Sequence, residues 1–350
     1  METIENIYDG VIKSKKWNYY NTNSYCISGF EDIFKGQDNA YDFIKRMIHE
    51  SGKISAQNLC ECLDKLKKEE PVTNRLRHVV SLFFLGFALY SKISVIKSYI
   101  DKQISGLGIL NKEYSAERRF SFFWFLLCIY HDLGYAYENG LLNNNNSTDK
   151  ELQMPEGFSP KLYTKENIDK YDKYRQCKWN VKDHGIWGGR VFYSEMLNIG
   201  KDIAKSHNSE IFETEEVERI YQYAAWLIMC HNINFDNGKS DYTNCYKCQG
   251  LNDFIIPKAR CISLTNNPLL FLFCFADTIE PTKKLKSANG DSVKDMEICK
   301  TLKIELSNDK IKFGIDELQD YVVCDSYVKN LEGLSDWLID VNDNLEILFR

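Results

Sequence analysis

An apolar run from Phe120 to Tyr130 delivers the adjacent pair His131-Asp132 into the turn Leu133-Gly134-Tyr135. Apolar residues bury themselves, and they carry the imidazole and the carboxylate inward with them. A buried carboxylate beside a buried imidazole is costly unless something offsets the desolvation. A divalent ion does so, because both groups are ligands for Zn, Mn or Fe. Two residues alone fit better a core histidine beside a capping aspartate. Four more residues recur in the same kind of setting. His78 shares the apolar face of a helix with Leu82 and Leu85, four and seven residues on. His231 ends a helix after Leu227 and Ile228, and Asp277 ends another after Phe273 and Cys274. His184 opens a helix in Asp183-His184-Gly185-Ile186-Trp187-Gly188-Gly189, where three glycines permit close approach of neighbours. Each of these residues singly fits a core or capping role. Jointly, on five separate helices and each at an inward face or helix end, they predict one metal centre.

The elements that must position this set read as helical. Apolar residues recur at helical spacing over 38–50 and 55–69, after which Pro71 breaks the chain. Thr73 is the expected N-cap of the His78 helix, which runs to about Tyr90. A further helix spans about Ile93 to Ile104, and the helix carrying His131-Asp132 begins near Ser115. After Glu138 the chain turns polar, with few strong periods until about Val181. A segment of that length reads as a disordered stretch or a lid. Helical pattern resumes over 183–197 and 215–230, and Asn267-Pro268 reads as cap and first-turn proline for Leu269–Ala276. Beyond Lys300 the pattern alternates, with strands about Leu302–Leu306 and Lys310–Phe313 flanking an Asn308-Asp309 hairpin turn. A short helix near Tyr327–Ile339 and a strand over Leu345–Phe349 complete the reading. The expected fold class is therefore mostly α, with a helical core and a small C-terminal α+β appendage. The expected divisions are an N-terminal helical region 1–72, a core 73–290 and an extension 291–350.

Composition narrows the function classes. A chain of 350 residues with 44% hydrophobic and 13% aromatic residues can bury a sizeable core. A net charge of −6 leaves no electrostatic footprint for duplex nucleic acid. No apolar run reaches the roughly 18–20 residues of a membrane span. The polar, acidic start Met1-Glu2-Thr3-Ile4-Glu5-Asn6 lacks a signal-peptide pattern, so a cytoplasmic location is expected. Twelve cysteines in such a chain read as small core hydrophobes, notably Cys128, Cys230 and Cys274. Cys245-Tyr246-Lys247-Cys248 is a lone pair without the four ligands of a structural zinc site.

The ordered set His78, His131-Asp132, His184, His231, Asp277 resembles the HD superfamily of metal-dependent phosphohydrolases. The surroundings match as well: Arg77-His78-Val79-Val80-Ser81, His131-Asp132-Leu133-Gly134-Tyr135, Asp183-His184-Gly185, His231-Asn232-Ile233 and Ala276-Asp277-Thr278-Ile279-Glu280-Pro281. The similarity covers about Thr73 to Lys286. It implies an HD-type all-helical core with the metal site at its centre. In the simplest members the matching positions, here His78, His131, Asp132 and Asp277, hold one ion. Members with two further histidines are dinuclear, which would give His184 and His231 a second ion joined to the first by Asp132. The resemblance thus implies two divalent metal ions (Mn, Fe, Mg or Zn), with His131 and Asp132 as the catalytic pair. Two ions about 3.5–4 Å apart can hold a hydroxide and clamp phosphoryl oxygens. Asn232 after His231 gives no support for a third ion, and no Gly-Tyr-Pro segment of the cyclic-di-GMP branch follows the site.

Phosphate contacts are expected from basic residues near these ligands. Arg175 is the first choice, with Lys173 and Arg77 as further candidates for substrate binding. The tyrosines beside Arg175 are positioned in sequence to stack on a base. Lys182 and Arg190 flank the His184 motif, and Lys283, Lys284 and Lys286 follow Asp277. The expectation is a hydrolase of a small phosphorylated compound, in the first place a nucleotide or cyclic nucleotide phosphodiester. Its rivals are a mononuclear hydrolase of nucleoside triphosphates or alarmone-type nucleotides, and a non-catalytic nucleotide-sensing scaffold.

Overall fold

A computed structural model describes residues 1–19, 27–34, 37–50, 59–60, 63–68, 75–108, 114–138, 152, 154, 158, 163–207, 215–239, 242–256, 262–282, 302–314, 330–331, 338 and 346–349. The fold is mostly α with a small sheet. Three helices, Arg75–Lys92, Ala116–Leu133 and Pro268–Ile279, are buried along almost their whole length. Helices apolar all round must sit inside the molecule, and these three form its centre. Each carries ligand-type residues, His78, His131-Asp132 and Asp277, within that apolar surface. Burying each aromatic or aliphatic side chain contributes about 1.5–3 kcal/mol, so the shell around them strongly favours one packing.

The Ala116–Leu133 helix is the hub. It packs against Arg75–Lys92 on one side, and against the helices His184–His207 and Glu215–Cys230 on the other. Ser115 caps its start, accepting a hydrogen bond from the Arg118 N–H at 3.3 Å. Trp124 fills the gap over Gly86, where an added Cβ would lie 2.2 Å from the indole. Its indole N–H donates to the Phe83 carbonyl at 3.1 Å.

The His184 helix approaches the hub through its glycines. A Cβ on Gly188 would lie 2.6 Å from the Tyr130 carbonyl oxygen, and one on Gly189 would lie 2.5 Å from the Ala225 carbonyl oxygen. Gly134, just after His131-Asp132, is tighter still: its added Cβ would sit 1.7 Å from the His184 carbonyl oxygen. The Gly134 backbone is ordinary right-handed helix, φ −56° and ψ −22°. The requirement for glycine there is therefore steric, not conformational.

At one end lies a four-stranded sheet in the order β1 (Glu2–Thr3), β2 (Lys303–Ser307), β3 (Lys310–Gly314) and β4 (Glu346–Phe349). β2 and β3 form the expected antiparallel hairpin across Asn308-Asp309, and β4 joins β3 in parallel. β1 pairs antiparallel with β2, so the first residues of the chain share the sheet of the C-terminal appendage. Phe313 packs edge-on to Phe275, seating the sheet on the Asp277 helix.

The polar stretch after Glu138 holds a helix, Lys165–Trp179, which overturns the disordered alternative for those residues. Its buried face is Ile168, Tyr171, Asp172 and Tyr174, too polar to register as an apolar stripe. The Asp277 helix does start with Pro268 in its first turn, but Asn267 makes no side-chain capping bond. Thr73, most of Tyr327–Ile339, and Lys283, Lys284 and Lys286 lie outside the described residues. No single helix among the described residues is long and apolar enough to cross a membrane.

The contact at Gly134 gives a direct test of this packing. Gly134→Ala forces two backbones apart and should destabilise the protein by about 3 kcal/mol or more in chemical denaturation, the upper range for overpacking. Unchanged stability would refute the close approach of His184 to the turn.

Candidate metal centre

His78 and His131 meet tip to tip, with their Nε2 atoms 3.2 Å apart. Asp132 places Oδ1 3.3 Å from His131 Nε2 and Oδ2 3.9 Å from His78 Nε2. Asp277 adds Oδ1 at 2.9 Å from His78 Nε2 and 3.8 Å from His131 Nε2. His78, His131 and Asp132 are wholly buried, while the Asp277 side chain is 16% exposed and marks the side that meets solvent. The ligand atoms of His78, His131 and Asp132 all lie within 4.8 Å of one another, and Asp277 Oδ1 lies within 3.8 Å of both imidazole tips. Such a group can hold a metal ion.

What surrounds the imidazoles decides which nitrogen faces the centre. His131 Nδ1 donates to the Cys128 carbonyl at 2.6 Å, and His231 Nδ1 donates to the Ile228 carbonyl at the same distance. Each partner is the residue three back in the chain, so the end of a helix turns its own histidine. A carbonyl only accepts, which fixes the proton on Nδ1 and the lone pair of the neutral ring on Nε2. Burial pushes the His131 pKa down to about 3, against the upward pull of Asp132 and Asp277, so this ring is neutral at pH 7. The other two histidines lean on carboxylates. His78 Nδ1 donates to Glu280 Oε2 at 2.5 Å, and His184 Nδ1 donates to Glu138 Oε2 at 3.0 Å. Glu280 is itself fully buried and held by Thr282, whose N–H and hydroxyl donate at 3.0 and 2.9 Å. Burial pushes the Glu138 carboxyl up, while Arg175, Arg75 and the His184 N–H pull it down.

His231 and His184 extend the cluster. The His231 ring stands 5.1 Å from His131 and 5.5 Å from His184, centroid to centroid, and Phe273 stacks on it at 5.2 Å. Gly185 leaves room for the His231 ring, since a Cβ there would lie 3.0 Å from Cε1. His231 Nε2 is buried with no hydrogen-bond partner among the described residues. A buried polar atom left so costs about 1–3 kcal/mol unless a Lewis acid takes the lone pair. His184 stacks face to face on Tyr135 at 3.7 Å, and the Arg75 guanidinium covers the other side of Tyr135 at 3.1 Å.

The expected phosphate-binding residues fall differently. Arg175 lies beside the site but is engaged by two carboxylates, Asp183 Oδ2 at 3.3 Å from Nε and Glu138 Oε1 at 3.6 Å from Nη2. Asp183 is buried, caps the His184 helix by accepting from the Ile186 N–H at 3.0 Å, and accepts from the Asn232 side chain at 3.0 Å. Lys173 is exposed, and Arg77 is buried at 4% exposure. Arg190 pairs with Asp169 and Asp172, and Lys182 lies over the Trp187 ring. Tyr171 and Tyr174 are buried, which removes them as stacking surfaces for a base. Cys245 and Cys248 lie on the short helix Thr243–Cys248 and belong to no metal-capable group of three among the described residues. Burial raises the thiols of Cys128, Cys230 and Cys274, so these act as packing groups.

Sequence reasoning missed Glu280, Glu138, Asp183 and Arg75. Glu280 and Arg75 carried a faint signal, each lying three residues from a ligand on the chain. Asp183, directly before His184, carried a stronger one as the residue that opens the helix, whereas Glu138 reaches the site through packing that no local pattern announces. No family model matches the chain, and no curated protein or solved structure is found similar to it.

The residues fit a divalent ion. Hard and borderline donors converge, and each histidine has an outer partner that fixes its ring. Glu280→Gln keeps the shape but removes the charge behind His78. It should lower metal affinity about 10-fold or more in calorimetric titration, with the fold intact by circular dichroism. Wild-type affinity in that variant would remove Glu280 from the site.

Proposed function

We propose that this protein is a metal-dependent phosphohydrolase of the HD type, acting on a phosphate ester or diester of a nucleotide or cyclic nucleotide. One observation carries the reading. Four imidazoles from four helices each commit Nδ1 to a fixed acceptor, beside two aspartates in the same cluster. Ordinary core histidines have no reason to share that arrangement, whereas metal ligands do.

His78, His131, Asp132 and Asp277 would hold one ion, and His184 and His231 would hold a second with Asp132 between them. Bound divalent ions would supply positive charge for the phosphoryl oxygens and lower the pKa of a water to about 7. The protein's own groups do the rest. Glu280, Glu138 and the two helix-end carbonyls hold the imidazoles in one tautomer and orientation. Phe273 and the apolar helices exclude bulk water, which strengthens every charge interaction inside. Asp277 lies at the exposed side and leaves an approach for substrate. Arg75, stacked over Tyr135 beside His184, sets a cation where an anionic group would arrive. Arg175 serves chiefly to hold Glu138 and Asp183 in place. A mononuclear nucleotide hydrolase is the second reading, favoured by the tight mutual spacing of His78, His131, Asp132 and Asp277.

The test is a screen of nucleotides and cyclic nucleotides with the protein loaded with Mn, Fe, Mg or Zn in turn. Release of phosphate or of a monoester is expected from at least one class. Asp132→Ala should cut kcat by at least about 100-fold and remove most bound metal. Full turnover and full metal content in Asp132→Ala would refute the proposal.

A further inference from the structure

Beyond Arg175 the Lys165–Trp179 helix ends in an exposed aromatic surface. Trp179 is its last residue and is 40% exposed. Asn180 terminates the helix in the left-handed conformation, φ 53°, with its N–H bonded to the Gln176 carbonyl at 2.9 Å. Tyr242, 44% exposed, stands across from Trp179 with ring centroids 6.3 Å apart and planes inclined by 56°. The two rings form a notch rather than a stack. Two cations line it: Lys178 Nζ lies 4.2 Å from the Tyr242 ring and 5.1 Å from the Trp179 ring, and the Arg175 guanidinium lies 4.8 Å from Trp179. Exposing two large aromatics side by side forgoes burial that the fold gives to most rings among the described residues, and interleaved cations suit an anionic, planar ligand.

The notch is tied to the metal centre by a short route. Arg175 spans from the Trp179 ring to Glu138 and Asp183, and Glu138 holds His184. Along the chain His184 follows Trp179 by only five positions, which limits the Cα separation to about 17 Å. A ligand with one end at the ions and a planar ring at the other has both ends provided for. From this juxtaposition we infer that the Trp179–Tyr242 notch is a base-binding subsite, taking the nucleobase of a substrate whose phosphate lies at His78, His131, Asp132 and Asp277. The inference rests on the phosphohydrolase reading and deepens it, because it selects nucleotides over other phosphate esters. Tyr171 and Tyr174 fix the helix from beneath, and Trp179 presents the stacking face.

The experiment compares two probes that share sugar and phosphate and differ only in the base: adenosine 5′-monophosphate and ribose 5-phosphate. Both are titrated calorimetrically into the full chain loaded with Mn, as wild type, Trp179→Ala and Trp179→Phe. Wild type should bind the nucleotide at least about tenfold more tightly than ribose 5-phosphate, the scale of one stacked base. Trp179→Ala should lose that preference while keeping its affinity for ribose 5-phosphate and its metal content, and Trp179→Phe should restore most of it. If ribose 5-phosphate binds but the nucleotide binds no better, or if Trp179→Ala keeps the preference, the base subsite is overturned and the phosphohydrolase reading stands. If neither probe binds the metal-loaded wild type, the phosphohydrolase reading falls and the subsite with it.

Discussion

The structure depends on placing ionisable groups where water is absent. His78, His131 and Asp132 are wholly buried, among the side chains of three helices that are apolar nearly all round. The desolvation of such groups is costly by several kcal/mol per charge unless each is paired or bound. Every neighbouring feature answers that cost. Helix-end carbonyls and buried carboxylates take the outward nitrogens, and the inward nitrogens and the aspartates are left to satisfy one another or a cation. His78 Nε2 faces both Asp277 Oδ1 at 2.9 Å and the His131 Nε2 lone pair at 3.2 Å, with Nδ1 already committed to Glu280, so one proton on Nε2 has to serve two acceptors. A divalent ion there would be shared by all of these acceptors at once.

Close backbone approach is the second constraint, and it serves the first. The site draws on five helices, and imidazoles are short, so the helices must come nearer than ordinary side chains allow. Gly134, Gly185, Gly188 and Gly189 remove the Cβ atoms that would prevent this. The Lys165–Trp179 helix then closes one flank, held by Arg175 on Asp183 and Glu138 and by Arg190 on Asp169 and Asp172. Fold and site are therefore one arrangement: the glycines that let the core pack are the glycines that bring His184 and His231 to His131.

Much of this was legible from local pattern. The His131 helix beginning near Ser115, the helix Glu215–Cys230, the Pro268 start and the hairpin across Asn308-Asp309 all follow from periodicity and turn chemistry, and all are present. The histidines and aspartates were legible because apolar context marked them as buried. The remainder depends on contacts distant in sequence. β1 finds β2 across almost the whole chain, and Glu280 finds His78 across 202 residues. The Lys165–Trp179 helix hid because it buries Asn167, Asp172 and two tyrosines beside a single aliphatic, Ile168. Arg175 looked like a phosphate ligand because sequence shows its charge and not the two carboxylates that engage it.

The central claim is that six side chains on five helices form one metal centre that extends to His184 and His231. The most direct measurement is the metal-to-protein ratio of purified wild type, His184→Ala and His231→Ala after incubation with Mn and removal of the excess. The dinuclear account predicts a ratio near two for wild type that falls towards one in each variant. A ratio of one in all three would leave a mononuclear site, and wild-type protein with no stoichiometric metal would contradict the claim itself.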